Sequence, residues 1–269
     1  MLSYLIIVGD RTNYLRGCLK SLPQGEVVVV VTASDKADLV REIREDAVIV
    51  YKKWNNDFSD MRNYGLEFCS KEWVLAIDDD ERLIQHHLID FLNLTHESVG
   101  GYYLNIYGYH TTLKDSYLSN IQLCRLFKNK KGYLFENQIH ERIDKSIFSK
   151  GNLLEGLPPS IGKLAHLGYD ISKEEMKIKA ERNLNLLRNQ LKSNPRDSIT
   201  YYKLGNTFDV LGDTKSALEM YVTAISYGGI SEELHNSLTI KLLNGGYKIN
   251  AKTNRQPSFS QTIRSGRDI

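Results

Sequence analysis

An α/β domain followed by an all-helical segment is the architecture this 269-residue sequence predicts, and three patterns carry the prediction. Short β-branched runs alternate with amphipathic stretches early in the chain, which predicts a parallel sheet with crossover helices. Two longer strand-like stretches, Gly101 to Tyr109 and Ser119 to Phe127, predict that the sheet becomes mixed further on. From Ser172 onward strand signals vanish and helical periodicity takes over.

Taken in order, Tyr4 to Val8 reads as a first strand, and Tyr14, Leu15, Cys18, Leu19 and Leu22 follow helical spacing until Pro23. Val27 to Val31 is a second strand. A polar helix over Lys36 to Arg44 leads to a short strand at Ala47 to Val50, and a helix over Phe58 to Phe68 feeds the strand Trp73 to Ile77. Beyond it a helix over Leu83 to Leu92 is expected, then the two long strands, then a shorter strand at Ile139 to Ile143.

Ser172 and Glu175 form a capping box for a helix whose Met176, Ala180, Leu184, Leu187 and Leu191 define one apolar face. Asn194-Pro195 ends it. Tyr201, Leu204, Gly205, Phe208, Gly212, Ala217, Tyr221, Ala224 and Ile225 then fall at the positions of a tetratricopeptide repeat, with Gly205 and Ala217 small where antiparallel helices cross. A shift of about 34 residues maps Leu204 onto Leu238, Phe208 onto Leu242 and Gly212 onto Gly246. The expected divisions are therefore 1–170, 171–250 as helical repeats, and a polar tail at 251–269 expected to lack order. A last repeat without its cover predicts either self-association through the helical repeats or docking of another chain there.

Lys and Arg total 35 against 33 Asp and Glu, which leaves no net field to hold nucleic acid or an anionic membrane. The longest aliphatic stretch, Val27 to Val31, is too short to span a bilayer, and Met1 to Val8 is too short for a signal-peptide core, so a cytoplasmic protein without a transmembrane segment is expected. Cys18, Cys69 and Cys124 are odd in number, far apart and flanked by apolar residues, the pattern of reduced core thiols.

The chemistry concentrates at Asp78-Asp79-Asp80-Glu81, directly after an apolar run, where a buried strand of an open α/β sheet surfaces at its ligand-binding end. On an extended backbone Asp78 and Asp80 face one pocket and Asp79 faces away. Two convergent carboxylates suit a hard divalent cation shared with substrate phosphates. An acidic turn that starts the next helix is the competing reading. On the strand Tyr103, Asn105, Tyr107, Tyr109, polar aromatics share one face, suited either to stacking sugars or to covering an apolar patch.

The order of these motifs resembles bacterial family 2 glycosyltransferases that carry tetratricopeptide repeats behind a GT-A catalytic domain. The resemblance rests on Trp54, Asp57, Phe58, Ser59, Arg62 and Asn63 before a strand ending in Asp78, Asp80 and Glu81, on Arg125-Leu126-Phe127, on His140-Glu141, and on His166, Gly168 and Tyr169. It implies a GT-A fold, a nucleotide-sugar donor, most commonly a UDP-sugar, a divalent cofactor (Mg²⁺ or Mn²⁺), and inversion at the sugar carbon. Some members glycosylate glycocin peptides on Cys or Ser and others build cell-surface saccharides, so the implied acceptor is a peptide or a saccharide.

By that likeness Asp78 lies near the nucleoside and Asp80 binds the metal, with His166 as a further metal or diphosphate contact. Asp57, Arg62, Asn63 and Arg125 fall with the donor site, where Arg62 or Arg125 supplies a cation to the departing diphosphate; a helix-surface ion pair is the other reading of Arg62. Glu141 is the first candidate for the base, with an ordinary salt bridge to Arg142 as its other reading, and His140 is the reserve, as base or as a ligand to the metal. The amino end departs from the family pattern: Gly9-Asp10-Arg11 replaces Asn-Glu, and Thr32-Ala33-Ser34-Asp35 replaces Asp-x-Gly-Ser-x-Asp, so the nucleobase contact falls to Asp10 or Asp35. A non-catalytic sugar-nucleotide or peptide-binding scaffold is the rival class. A nucleotidyltransferase of the same fold needs a Gly-rich basic loop that Val8 to Asn13 does not provide.

Overall fold

The computed structural model describes residues 1–85, 87–109, 117–129, 131–168 and 172–245. Two compact units form, Met1–Glu175 and one that begins at Met176. In the first, β1 (Leu2–Val8), α1 (Leu15–Ser21), β2 (Glu26–Val31), α2 (Ser34–Ile43), β3 (Val48–Tyr51), α3 (Phe58–Leu66) and β4 (Trp73–Asp78) follow the predicted alternation. All four strands run parallel in the order β3-β2-β1-β4. Val27 to Val31 read as an uninterrupted aliphatic run because helices cover both faces of their strand. Tyr4, Ile6 and Val8 join the core under α1 and α2, whereas Leu5 joins Met61 of α3 on the opposite face, the two-residue alternation of a strand.

Beyond β4 come β5 (Glu81–Gln85), α4 (Leu88–Asn93), β6 (Val99–Tyr109), β7 (Tyr117–Lys128), α5 (Asp144–Ser149), β8 (Leu153–Gly156) and β9 (Gly162–His166). β7 joins the sheet antiparallel to β4, and the order continues β4-β7-β6-β9-β5, with β8 beside β6. Here the predictions need correcting. Leu83 lies in β5, and the helix expected from Leu83 starts only at Leu88. Pairing with β9 turns Glu81 and Leu83 inward, and this tertiary partner overrides the helical spacing of the segment. The strand expected over Ile139 to Ile143 is reduced to one bridge between Glu136 and Arg142, since Asn137 and His140 adopt left-handed backbone angles that break an extended run.

Helix α6 (Lys173–Ser193) begins in the last residues of the first unit, and the second unit holds the rest of it with α7 (Ser198–Leu211), α8 (Thr214–Tyr227) and α9 (Glu232–Asn244). The Ser172–Glu175 capping box forms reciprocally, at 3.1 and 2.9 Å. Asp197, Asp213 and Ser231 cap the next three helices. A Cβ on Gly205 would stand 2.3 Å from the Tyr221 ring, so the predicted close crossing of α7 and α8 needs a residue without a side chain there. Leu204, Leu238 and Leu242 are buried as the repeat spacing requires, while Gly246 and the expected tail lie outside the described residues. All three cysteines are buried and free. Among the described residues no helix is long and apolar enough to cross a membrane.

Candidate active site

Asp78 is the last residue of β4, level with Ile7 of β1 at the carboxyl edge of the parallel strands. Two guanidinium groups grip its carboxylate. Arg62 reaches it from α3 through Nη2, and Arg125 reaches it from β7 with Nη2 2.7 Å from Oδ2. Burial alone would raise the Asp78 carboxyl, but Arg125 and Arg62 outweigh it and hold the group well below the usual carboxylate range. Arg62 is only 1% exposed, which overturns its reading as a helix-surface pair. Its Nη1 donates to the Leu5 and Ile77 carbonyls at 3.2 and 3.1 Å, and its Nε meets Glu141 Oε1 at 3.4 Å.

The backbone does not stay extended past Asp78. Asp79 and Asp80 form a turn into β5, so the strand alternation expected to set Asp78 and Asp80 on one face does not reach Asp80. Glu81, with no role assigned from sequence, is 1% exposed; its Oε2 accepts the Asp78 N–H at 2.8 Å and its Oε1 stands 3.7 Å from Arg125 Nη2. Burial and then the Asp78 charge push its carboxyl up to about 7. The β5–β9 register pairs Glu81 with His166, which sets the His166 ring beside the turn, its Nε2 3.3 Å from Asp80 Oδ1. Burial lowers the His166 pKa, yet the Asp80 contact and the charges of Asp80, Glu81 and Asp78 raise it overall. Gly168 completes the turn's surroundings, since a Cβ there would fall 1.9 Å from Asp80 Oδ2; Tyr169 of the same motif lies outside the described residues.

Asp79 accepts a hydrogen bond from the Gly9 backbone, and burial, then Asp80 and Asp78, push its carboxyl up to about 8. The folded chain therefore holds a proton on Asp79 that the unfolded chain releases near pH 4, so this group's contribution is full in acid and fades as pH rises to about 8. Asp79→Asn should flatten that slope and leave the variant roughly 1–3 kcal/mol more stable than wild type above pH 8. Urea melts in chelator at pH 4 and pH 8.5 check this; parallel pH profiles would refute it.

Glu141 lies on the segment that follows β7, its side chain 13% exposed, and its ion pair with Arg62 ties it to the Asp78 cluster. His140 is exposed with φ 55°. A cleft of about 150 Å³ is lined by Asp78, Glu81, Ile106, Leu123, Arg125 and His166. An adjoining depression is lined by Leu123, Arg125, Glu141, Arg142 and Asp144, so Arg125 and Leu123 border both. Arg125 Nε is buried with no hydrogen-bond partner among the described residues. Ile106 and Gly108 reach the cleft, while Tyr103 donates to Asp144 at 3.3 Å and Lys163 stands over the Tyr107 ring; the tyrosines weighed between stacking sugars and covering an apolar patch are not among the residues lining this space.

The other predicted site residues are distributed around this centre. Asp57 caps α3 by accepting the Asp60 N–H at 2.9 Å. Asn63 is engaged with the Phe135 backbone. Asp10 is exposed after β1, and Asp35 is exposed in the first turn of α2, where its bond to Lys36 at 2.9 Å holds the carboxyl below its usual range. Both sit at the carboxyl edge because Val8 pairs with Val31, but no hydrogen bond or ion pair among the described residues links either to the Asp78 cluster.

A divalent ion fits the Asp80–His166 pair, one carboxylate and one imidazole, only if phosphate oxygens and water supply the remaining ligands. It must displace the proton that Asp80 favours on His166. Asp78, committed to two guanidinium groups, does not fit as a ligand. Among the described residues no three or more His, Cys, Asp or Glu side chains are grouped to hold a cation unaided.

Comparison with known proteins places this geometry. The chain is 25% identical over 245 residues to the SPbeta prophage-derived glycosyltransferase SunS of Bacillus subtilis, covering 86% of this chain and 54% of that protein. It is 25% identical over 234 residues to a TPR repeat-containing protein of Synechococcus elongatus, covering 80% and 54%. It is 31% identical over 156 residues to the lipopolysaccharide core biosynthesis glycosyltransferase LpsC of Rhizobium meliloti, covering 53% and 56%. The chain thus spans about half the length of the relatives it matches. Glycosyl transferase family 2 itself matches residues 3–153, which takes in β1 to β7, Arg62, the Asp78–Glu81 run, Arg125 and Glu141, and leaves His166 beyond its end. The mixed sheet is accordingly a GT-A domain with a helical segment behind it, and the chain belongs to glycosyl transferase family 2.

Proposed function

We propose that this chain is an inverting, metal-dependent glycosyltransferase that moves a sugar from a nucleotide-diphosphate donor, a UDP-sugar in the first instance, to a peptide or saccharide acceptor. The observation that carries the reading is the shared border of the two cavities: Arg125 separates the Asp78–His166 cleft from Glu141, so an anionic leaving group and a base flank one cation. Family membership supplies the reaction class.

In this mechanism the diphosphate lies against Arg125, whose charge Asp78 and Glu81 fix in place. A guanidinium held by carboxylates behind it is preorganised to meet charge that grows as the glycosyl bond breaks. Asp80 and His166 would hold Mg²⁺ or Mn²⁺, which supplies further neutralisation of the departing diphosphate. Glu141 accepts the proton of the acceptor hydroxyl or thiol as that atom attacks the face opposite the leaving group, which inverts the sugar carbon. Asp10 or Asp35 meets the nucleobase from the carboxyl edge. The stacked helices of the second unit suit an extended acceptor, since repeat arrays present elongated binding surfaces.

The test is nucleotide release from a panel of UDP- and GDP-sugars, with and without Mn²⁺, on wild type and Asp80→Ala. Metal-dependent release of one nucleotide that Asp80→Ala abolishes supports the proposal; donor binding without turnover under every condition would make the chain a scaffold. Gly168→Ala, which drives the Asp80 carboxylate from its place, should raise the Mn²⁺ concentration for half-maximal release about 10- to 100-fold. An unchanged metal requirement would remove Asp80 from the ligand set.

A further inference from the structure

The segment from Asp57 to Asn63 groups with the donor site by family likeness, yet its polar groups are engaged elsewhere. The Phe58 N–H donates to the Gln138 carbonyl at 2.9 Å. Ser59 Oγ donates to the Asn137 carbonyl at 2.5 Å. Asn63 clasps the Phe135 backbone twice, accepting its N–H at 2.8 Å and donating to its carbonyl at 3.0 Å. Arg62 adds the contact to Glu141, and Asp57 caps the helix that presents the other four residues. One face of α3 therefore follows the loop 135–141 from end to end.

That loop needs the support. Asn137 and His140 occupy the left-handed region at φ 80° and 55°, which L side chains adopt at a cost, and two backbone bonds between Glu136 and Arg142, at 2.8 and 3.0 Å, close the loop at its base. Helix α3 is fixed in turn against the sheet, because a Cβ on Gly65 would stand 2.4 Å from Leu5 Cδ1. Ser59 and Arg62 are buried beneath the loop.

We infer that Asp57, Phe58, Ser59, Arg62 and Asn63 form a mount for the loop that carries Glu141, as positioning residues and not as donor contacts. The inference rests on the assignment of Glu141 as the base in the reading above. A base must be held within a fraction of an ångström of its proton, and a loop with two left-handed residues does not hold itself there. Arg62 does the most, because the same planar group that meets Glu141 also grips Asp78 and so sets the base relative to the diphosphate side of the site.

The test uses the full chain with Ser59→Ala and Asn63→Asp. Each should lower kcat about 10- to 100-fold while donor KM stays within about twofold, since the base is displaced and the donor cleft is not. Amide exchange at residues 135–142 should quicken about tenfold or more. Combined with Glu141→Gln, Ser59→Ala should add no further loss. Weakened donor binding at unchanged kcat, or unchanged exchange in that loop, would overturn the mount. If Asn63→Asp does not fold, Ser59→Ala, which deletes one hydroxyl, decides alone. Full transfer by Glu141→Gln would sink the base assignment, and loop exchange still judges the mount: faster exchange with intact donor binding supports it, and unchanged exchange refutes it.

Discussion

Glu141→Gln is expected to lower transfer by about 10²- to 10⁴-fold, the usual span for loss of a positioned general base, with donor affinity almost untouched. The substitution keeps the volume of the side chain and an oxygen to meet Arg62 Nε, so the ion-paired cluster at Asp78 keeps its shape. What disappears is the ability to take a proton from the acceptor. Because Glu141 borders the depression beside Arg125 and not the cleft lined by Asp78 and His166, donor contacts should survive. Single-turnover transfer and a calorimetric donor Kd measure the two sides separately. Transfer within about threefold of wild type would strike Glu141 from the mechanism and bring forward His140, the preceding residue on the same loop.

Asp78→Ala should cost about 3 kcal/mol of stability, the lower end for breaking a buried ion pair, because the Asp78 side chain itself is 34% exposed. The loss arises from what stays behind. Arg62 and Arg125 are both buried, and without Asp78 their remaining carboxylate contacts are longer, to Glu141 at 3.4 Å and to Glu81 at 3.7 Å, while Arg62 Nη1 keeps its bonds to the Leu5 and Ile77 carbonyls. Against a typical total of about 5–15 kcal/mol this is a large share, so the variant should melt early. Wild-type stability carries the same signature in pH: Asp78 has a depressed folded-state pKa, so its contribution is present above the unfolded value near 4 and is lost as pH falls. The variant should lack that acid-side loss. Asp78→Asn, which keeps the shape and one acceptor, should fall between. A loss below about 1 kcal/mol in urea melts would show that the arginines are satisfied without Asp78.

Much of the molecule was legible in the residues. The aliphatic runs Tyr4 to Val8 and Val27 to Val31, helical spacing through α1 and α3, and the capping box at Ser172 are patterns of short segments, and they survive into the fold because local preference and global packing agree there. The tetratricopeptide spacing was readable for the same reason, with Gly205 opposite Tyr221 as its contact. The Asp78–Glu81 run was readable as a candidate site at the end of a buried strand, beside the competing reading of an acidic turn.

The sequence by itself determined the order of the parallel strands' helices, the helical second unit and the residues that carry charge. Only the tertiary structure decided what those charges do. Glu81 became a buried support for Asp78 because β5 pairs with β9, a strand some eighty positions away in the chain, and Leu83 left its helical pattern for the same partner. Arg62 meets both Asp78 and Glu141 because α3 lies under a loop from beyond β7. A carboxylate's role depends on which cation and which cavity stand within a few ångströms, and contacts of that kind between distant segments leave no periodic trace in the chain.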